Sequence, residues 1–225
     1  MHRLGAECLG TFILVFAGTG AIVVNDLTHG AVTHPGIALT FGLVVFAMIQ
    51  TFGWVSGAHF NPAISLAMVA LGKLEPFWAP GYLLAQFIGA IGASILLKVL
   101  FPNHLTLGAT LPAGSEMQSL VLELFLGFIL MISVIGCCNA QSSANFLGPV
   151  IGGIIGLEAL FAGPISGASM NPARSLAPAL LSGHLESLWI YFVGPIFGTL
   201  VALPVARFIF KGTPRLKVIE GEGMP

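Results

Sequence analysis

Charge is what this chain has little of. Asp, Glu, Lys and Arg make up 8% of its 225 residues, against about a quarter in an ordinary soluble domain. A water-facing surface of the size this length implies cannot be solvated by so few ions, so a large soluble helical domain is excluded. With 56% hydrophobic residues and a mean hydropathy of +0.97, the composition is that of an integral membrane protein.

Other scarcities narrow the function. The net charge is −1 and the basic residues are dispersed, apart from a small tail cluster of Lys211, Arg215 and Lys217, which argues against nucleic acid as a partner. Three cysteines, Cys8, Cys137 and Cys138, form neither a disulfide framework nor a CxxC pair. His2, His29, His34, His104 and His184 lie in or near loops without ligand spacing, so no metal site and no cofactor is expected. No nucleophile stands with a base, so the chain does not read as an enzyme.

What is present is length of apolar chain. A hydrocarbon core about 30 Å thick needs roughly 20 helical residues, and six segments qualify: 4–24, 36–54, 79–100, 118–138, 145–163 and 187–210. The first follows a basic start, yet it is too long for an ordinary signal peptide and has no clear cleavage site, so it reads as an uncleaved span. Two further apolar pieces, 62–71 and 172–181, are only long enough to cross half a membrane. Six spans put both termini on one side, with Arg3, Lys73, Lys211, Arg215 and Lys217, so the positive-inside tendency makes that side cytoplasmic. Residues 102–117 form an external connection without Lys or Arg, and a polar tail occupies 211–225.

The chain also repeats itself. "SGAHFNPAISL" at 56–66 aligns with "SGASMNPARSL" at 166–176, with eight of eleven residues identical. Glu7 with Phe12-Ile13-Leu14 answers Glu123 with Phe128-Ile129-Leu130, and Gly89 answers Gly198. The halves, 1–101 and 117–210, each hold three spans. An odd number forces the second half to enter the membrane in the opposite sense, and inverted repeats of this kind put a solute path at their interface.

Asn is a preferred helix N-cap and Pro is favoured at the first helical position. Asn61-Pro62 and Asn171-Pro172 therefore read as the starts of the two short helices. Entering from opposite faces, both N-termini meet near the bilayer centre, where irregular backbone survives only if buried or lining a watery cavity. Their partial positive charges repel cations and protons, while a neutral hydroxyl-bearing molecule can accept hydrogen bonds from the two Asn amides. The repeat breaks at Ile64, whose counterpart is Arg174. An arginine at that depth faces protein or water. Expected near the outer end of the second half-helix, it either points its donors into the channel mouth or ties loop carbonyls together.

Two Asn-Pro-Ala motifs, the second followed by Arg, on an inverted three-plus-three repeat resemble the aquaporin, or major intrinsic protein, family over about 4–210. The resemblance implies an all-α membrane protein with six transmembrane helices plus two re-entrant half-helices. It implies one pore per subunit in a homotetramer within membrane lipid, in a cell (inner) membrane. Asn61 and Asn171 would form the central constriction, and Glu7 and Glu123 would support the pore loops. The carbonyls of Gly57, Ala58, His59, Gly167, Ala168 and Ser169 would line the path. The outer filter maps to Phe41, Ala159, Ala168 and Arg174, with Ala159 where water-selective members often have His.

The phrase "AGPISGASMNPARSLAPAL" is similar to the nodulin-like subfamily and its bacterial relatives, which pass glycerol and uncharged metalloid hydroxides. Ser175, Ala179, Tyr191 and Phe192 look more like the water-channel pattern. The function expected is a passive channel for water and small uncharged solutes such as glycerol, arsenous acid or boric acid. The alternatives are a strictly water-selective channel and an ion-coupled transporter. Glu158, beside Ala159, is open to two readings: it orients Arg174, or it is buried against loop donors or hydrated at a helix end.

Overall fold

The computed structural model describes residues 1–139 and 146–211, and among them the chain is all-helical. Six long helices cross the molecule: α1 (His2–Leu27), α2 (Thr33–Ser56), α4 (Ala79–Leu100), α5 (Glu116–Asn139), α6 (Leu147–Ser166) and α8 (Ile190–Ile209). Two short ones, α3 (Pro62–Ala70) and α7 (Pro172–Ser182), follow α2 and α6. The tail expected over 211–225 lies, apart from Lys211, outside the described residues.

Polarity is arranged as lipid demands. Leu39, Leu43, Trp54, Phe125 and Phe197 are exposed, while Glu7, Gln86, Glu123, Glu158 and Arg174 are buried. A soluble protein does the reverse, because water would leave such acids and bases outside. The helix ends depart by up to three residues from the spans read from apolarity: α1, α2 and α5 run beyond them, α6 is shifted toward its C-terminus and α8 begins three residues inside. Polar residues such as Asn25, Asp26 and Glu116 continue the hydrogen-bonded spiral past the hydrocarbon boundary, and hydropathy does not register them.

The repeat is visible in the packing. Gly89 lets α4 lie on the backbone of α1 at Cys8 and Phe12, and Gly198 lets α8 lie on α5 at Leu124 and Phe128. The halves are joined where α2 meets α6. A Cβ on Gly42 would stand 2.6 Å from the Gly152 carbonyl oxygen, so only glycine permits this approach.

Both long helices that precede a half-helix end on a left-handed glycine, Gly57 (φ 88°) and Gly167 (φ 84°). The chain then doubles back, and α3 and α7 begin at Asn61 and Asn171 with Pro at the first position. Each Asn is extended and its side-chain oxygen accepts from the backbone of its own helix start. This is the N-cap geometry that the residue types favour.

Candidate functional site

The two turns before the half-helices have unusual backbone. Ala58 and Phe60 have φ of 52° and 49°, and Ala168 and Met170, their repeat counterparts, 41° and 54°. Left-handed residues other than glycine cost about 1–3 kcal/mol each, so something must hold them. Glu7 does so in the first half. Its carboxylate accepts from Ser56 Oγ (2.6 Å), His59 N (3.0 Å), Phe60 N (2.7 Å) and Gln86 Nε2 (2.8 Å). Glu123 repeats the pattern with Ser166 Oγ (2.7 Å), Ser169 N (2.8 Å) and Met170 N (2.8 Å). Hydrogen bonds to an ionised group contribute about 1.5–3 kcal/mol each, so three or four outweigh the strain of two residues.

Once their amides turn to the carboxylates, these residues aim their carbonyls elsewhere. Among the described residues, no donor is recorded on the carbonyls of Gly57, Ala58, His59, Gly167, Ala168 or Ser169. Gly57, Ala58, His59, Ala168 and Ser169 line one continuous cavity. Gly167 is not part of that lining, and a Cβ on it would come within 2.9 Å of Thr110 Cγ2. Apolar side chains complete much of the wall, among them Leu14, Val45, Ile49, Leu130, Ile151 and Ile155.

The cavity has Met68, Cys138 and Leu147 toward one end and Phe41, Ala159 and Arg174 toward the other, with Asn61 and Asn171 between them. The asparagines bind the halves together. Asn61 Nδ2 donates to the Met170 carbonyl at 2.7 Å, and Asn171 Nδ2 donates to the Phe60 carbonyl at 2.8 Å. An amide nitrogen has two hydrogens, which leaves one on each asparagine beyond this cross-link.

Phe41, Ala159, Ala168 and Arg174 all line the cavity. Arg174 lies in the first turn of α7 rather than near its outer end, and its long side chain carries the charge outward. Nη1 donates to the Gly108 carbonyl at 2.9 Å, and Cζ stands 5.1 Å from the centre of the Phe41 ring. The guanidinium makes no ion pair among the described residues, and Nε has no protein partner. Glu158 is buried beside Ala159, yet neither carboxyl oxygen has a protein partner, and neither of its expected contacts, Arg174 or a loop donor, is made.

Several supporting roles escaped the sequence reading. Tyr82 and Tyr191, the two tyrosines of the chain, donate at 2.7 Å to the carbonyls of Ser56 and Ser166. Ser65 and Ser175 hold His59 Nδ1 and Ser169 Oγ. All four stand in corresponding places of the two halves: the serines within the repeat already aligned, the tyrosines in a fuller alignment of it. Gly108 and Thr110 do not; they belong to the connection between the halves, and nothing in their local pattern announces a contact with Arg174 and Ser175.

Comparison with known proteins agrees with this geometry. The family model described as major intrinsic protein matches residues 1–205. Aquaporin NIP1-1 of Zea mays is 45% identical over 94% of this chain and 77% of its own length. Nodulin-26 of Glycine max is 39% identical over 93% of the chain and 78% of its own. Among solved structures, the aquaglyceroporin from Plasmodium falciparum superposes with a TM-score of 0.81 at 26% identity, covering 94% of this chain and 96% of its own.

Proposed function

The chain belongs to the major intrinsic protein family, a family of membrane channels rather than enzymes, and we propose that it passes water together with small uncharged solutes such as glycerol and metalloid hydroxides. The observation that carries this reading is the wall composition at the filter. Arg174 and the backbone of Ala168 supply polar contacts there, while Phe41 and Ala159 supply apolar ones. A polyol or a trihydroxy acid has both kinds of surface. It can accept from Arg174, donate to the open carbonyls, and lay its carbon or central atom against Phe41.

Selection against ions follows from the same parts. An ion entering the cavity exchanges its hydration shell for one strip of carbonyls and a wall of aliphatic side chains, and burying an unpaired charge is prohibitive. Cations meet two helix N-termini, each equivalent to roughly half a positive charge, and Arg174 besides. The spare amide hydrogens of Asn61 and Asn171 turn a passing water to present its oxygen to both, which interrupts a proton-conducting chain. Asn61, Asn171 and the four filter residues are the residues to which we assign selection, with Glu7 and Glu123 as the supports of the turns.

The subunit has an apolar outer face broad enough for lipid and for copies of itself, and we infer a homotetramer with one pore per subunit in a cell (inner) membrane, both termini cytoplasmic. Stopped-flow light scattering on proteoliposomes, with water, glycerol, urea, boric acid and arsenous acid, tests the function. Acceleration of water and at least one hydroxylated solute is expected. Acceleration of water alone would replace this reading by a strictly water-selective channel, and no acceleration at all would remove both.

A further inference from the structure

The residue that orients Arg174 is held in turn by something outside the family motifs. Gly108 (φ 74°) follows Leu107 (φ 52°), so the carbonyl that receives Arg174 Nη1 is aimed by two consecutive left-handed residues. Gly108 is pressed on α1, where a Cβ would come within 2.8 Å of Thr19 Cβ. The turn makes two backbone hydrogen bonds of its own, and Thr110, two residues beyond Gly108, donates to Ser175 Oγ at 2.7 Å. The backbone bonds are His104 N to Phe101 O (3.1 Å) and Ala109 N to Thr106 O (3.0 Å). The amide of Leu107, a fully buried residue, goes instead to a side chain: it donates to His104 Nδ1 at 3.0 Å.

That contact fixes the state of the ring. Nδ1 accepts, so the imidazole proton sits on Nε2. Nε2 lies 3.4 Å from Asp26 Oδ2, on the last turn of α1. The His104 side chain is 7% exposed and Asp26 is 52% exposed, so the pair opens to the outer aqueous face through its acid. One ring thus ties the end of α1 to the turn that carries the hydrogen-bond acceptor of Arg174.

We propose that His104 is a positioning residue for Arg174, acting through Leu107 and Gly108, and that it holds the turn only as the neutral Nε2–H tautomer. A second proton goes to Nδ1. The ring then presents an N–H to the Leu107 N–H, two donors face one another, and the tether is lost. Asp26 meanwhile attracts the imidazolium more strongly and draws it toward the outer face. The Gly108 carbonyl loses its aim, the guanidinium loses its acceptor, and the side chain swings from the wall into the path. A proton taken up by the ring from the outer side therefore closes the filter. Asp26 is the charged group that faces the ring, and Arg174 is the next along the chain of contacts.

The proposal rests on Arg174 being a filter residue, and the test separates the two. Water and glycerol permeability are measured in proteoliposomes at pH 8 and pH 5, for the wild type, His104→Asn and His104→Phe. Permeability of the wild type at pH 8 above that of protein-free vesicles establishes the channel first; its absence would sink the channel reading, and this one with it. The wild type is expected to lose roughly five-fold between pH 8 and pH 5, the factor one neutral hydrogen bond supports. His104→Asn, whose Oδ1 can replace Nδ1 as acceptor, should keep its transport at pH 8 and lose none at pH 5. That flat profile assigns the effect to His104 and not to His59, Glu123 or Glu158. His104→Phe should be low at both pH values. A wild type that conducts equally at both pH values, or an Asn variant that still falls at pH 5, would overturn the proposal.

Discussion

Asn61 and Asn171 cap different helices, yet each donates to the backbone of the other's turn, Asn61 to Met170 and Asn171 to Phe60. The meeting point of the two half-helices is therefore one cross-linked unit rather than two adjacent helix ends. Its halves are not equal. Asn171 Oδ1 accepts from both Ala173 N and Arg174 N, whereas Asn61 Oδ1 accepts from Ala63 N.

Substitution of either asparagine by alanine removes a cap worth about 1 kcal/mol and one buried cross-link worth about as much. Asn171→Ala is expected to be the more destabilising, by a few tenths to about 1 kcal/mol, because a second amide at the start of α7 is left without its acceptor. Denaturant unfolding of both variants in detergent micelles checks this. Equal losses would mean that the Arg174 amide draws nothing from the cap.

Ala159→His tests the width of the filter. The new ring would enter the cavity that Phe41 and Arg174 also line, filling the space available to carbon atoms while offering water a polar edge. Glycerol and arsenous acid permeation should fall at least ten-fold, with water falling no more than about two- to three-fold, the asymmetry steric exclusion produces when a site built for a larger solute is narrowed. Parallel stopped-flow traces for water and glycerol supply the measurement. Equal loss for both would detach Ala159 from selection.

How much of this could be read before the fold was known depends on which residues carried a repeat. The six spans came from hydropathy because lipid leaves no alternative to a long apolar helix. The half-helices came from the Asn-Pro pairs, whose capping chemistry is local and therefore legible. Glu7 and Glu123 were matched across the halves, but Ser56, Tyr82 and Gln86 around Glu7 could not be assembled without the packing. Gly108 lay beyond reach for a different reason. It sits in the one connection that the repeat does not duplicate, and its contact with Arg174 spans 66 residues with no periodic pattern to announce it.

Arg174→Ala should open the outer mouth to charge. The guanidinium is the one cation on the cavity wall among the described residues, and it is held there by Gly108 and the Phe41 ring. With it gone, the two half-helix N-termini are the remaining electrostatic barrier. Proton flux into vesicles loaded with a pH-sensitive dye should rise several-fold above wild type, while water permeability is kept or raised. A variant as proton-tight as the wild type would assign the whole barrier to the central asparagines.

Glu158 presents the opposite problem, a charge-bearing group with no visible employment. Its counterpart in the first half, 110 residues earlier, is Met48, a side chain of the same length that packs against the core. Neither carboxyl oxygen of Glu158 has a protein partner, and burial of a polar group without one costs about 1–3 kcal/mol. Restoring the repeat with Glu158→Met should therefore stabilise the folded protein by about that amount. If the acid serves only the interior of the helix bundle, water and glycerol permeability will stay within about two-fold of wild type, a margin well under one hydrogen bond's worth of rate. Stability raised and glycerol transport abolished would be a different outcome. It would show that the chain keeps an unfavourable acid behind Ala159 because the filter needs it, as strained or unpaired groups are kept where function requires them.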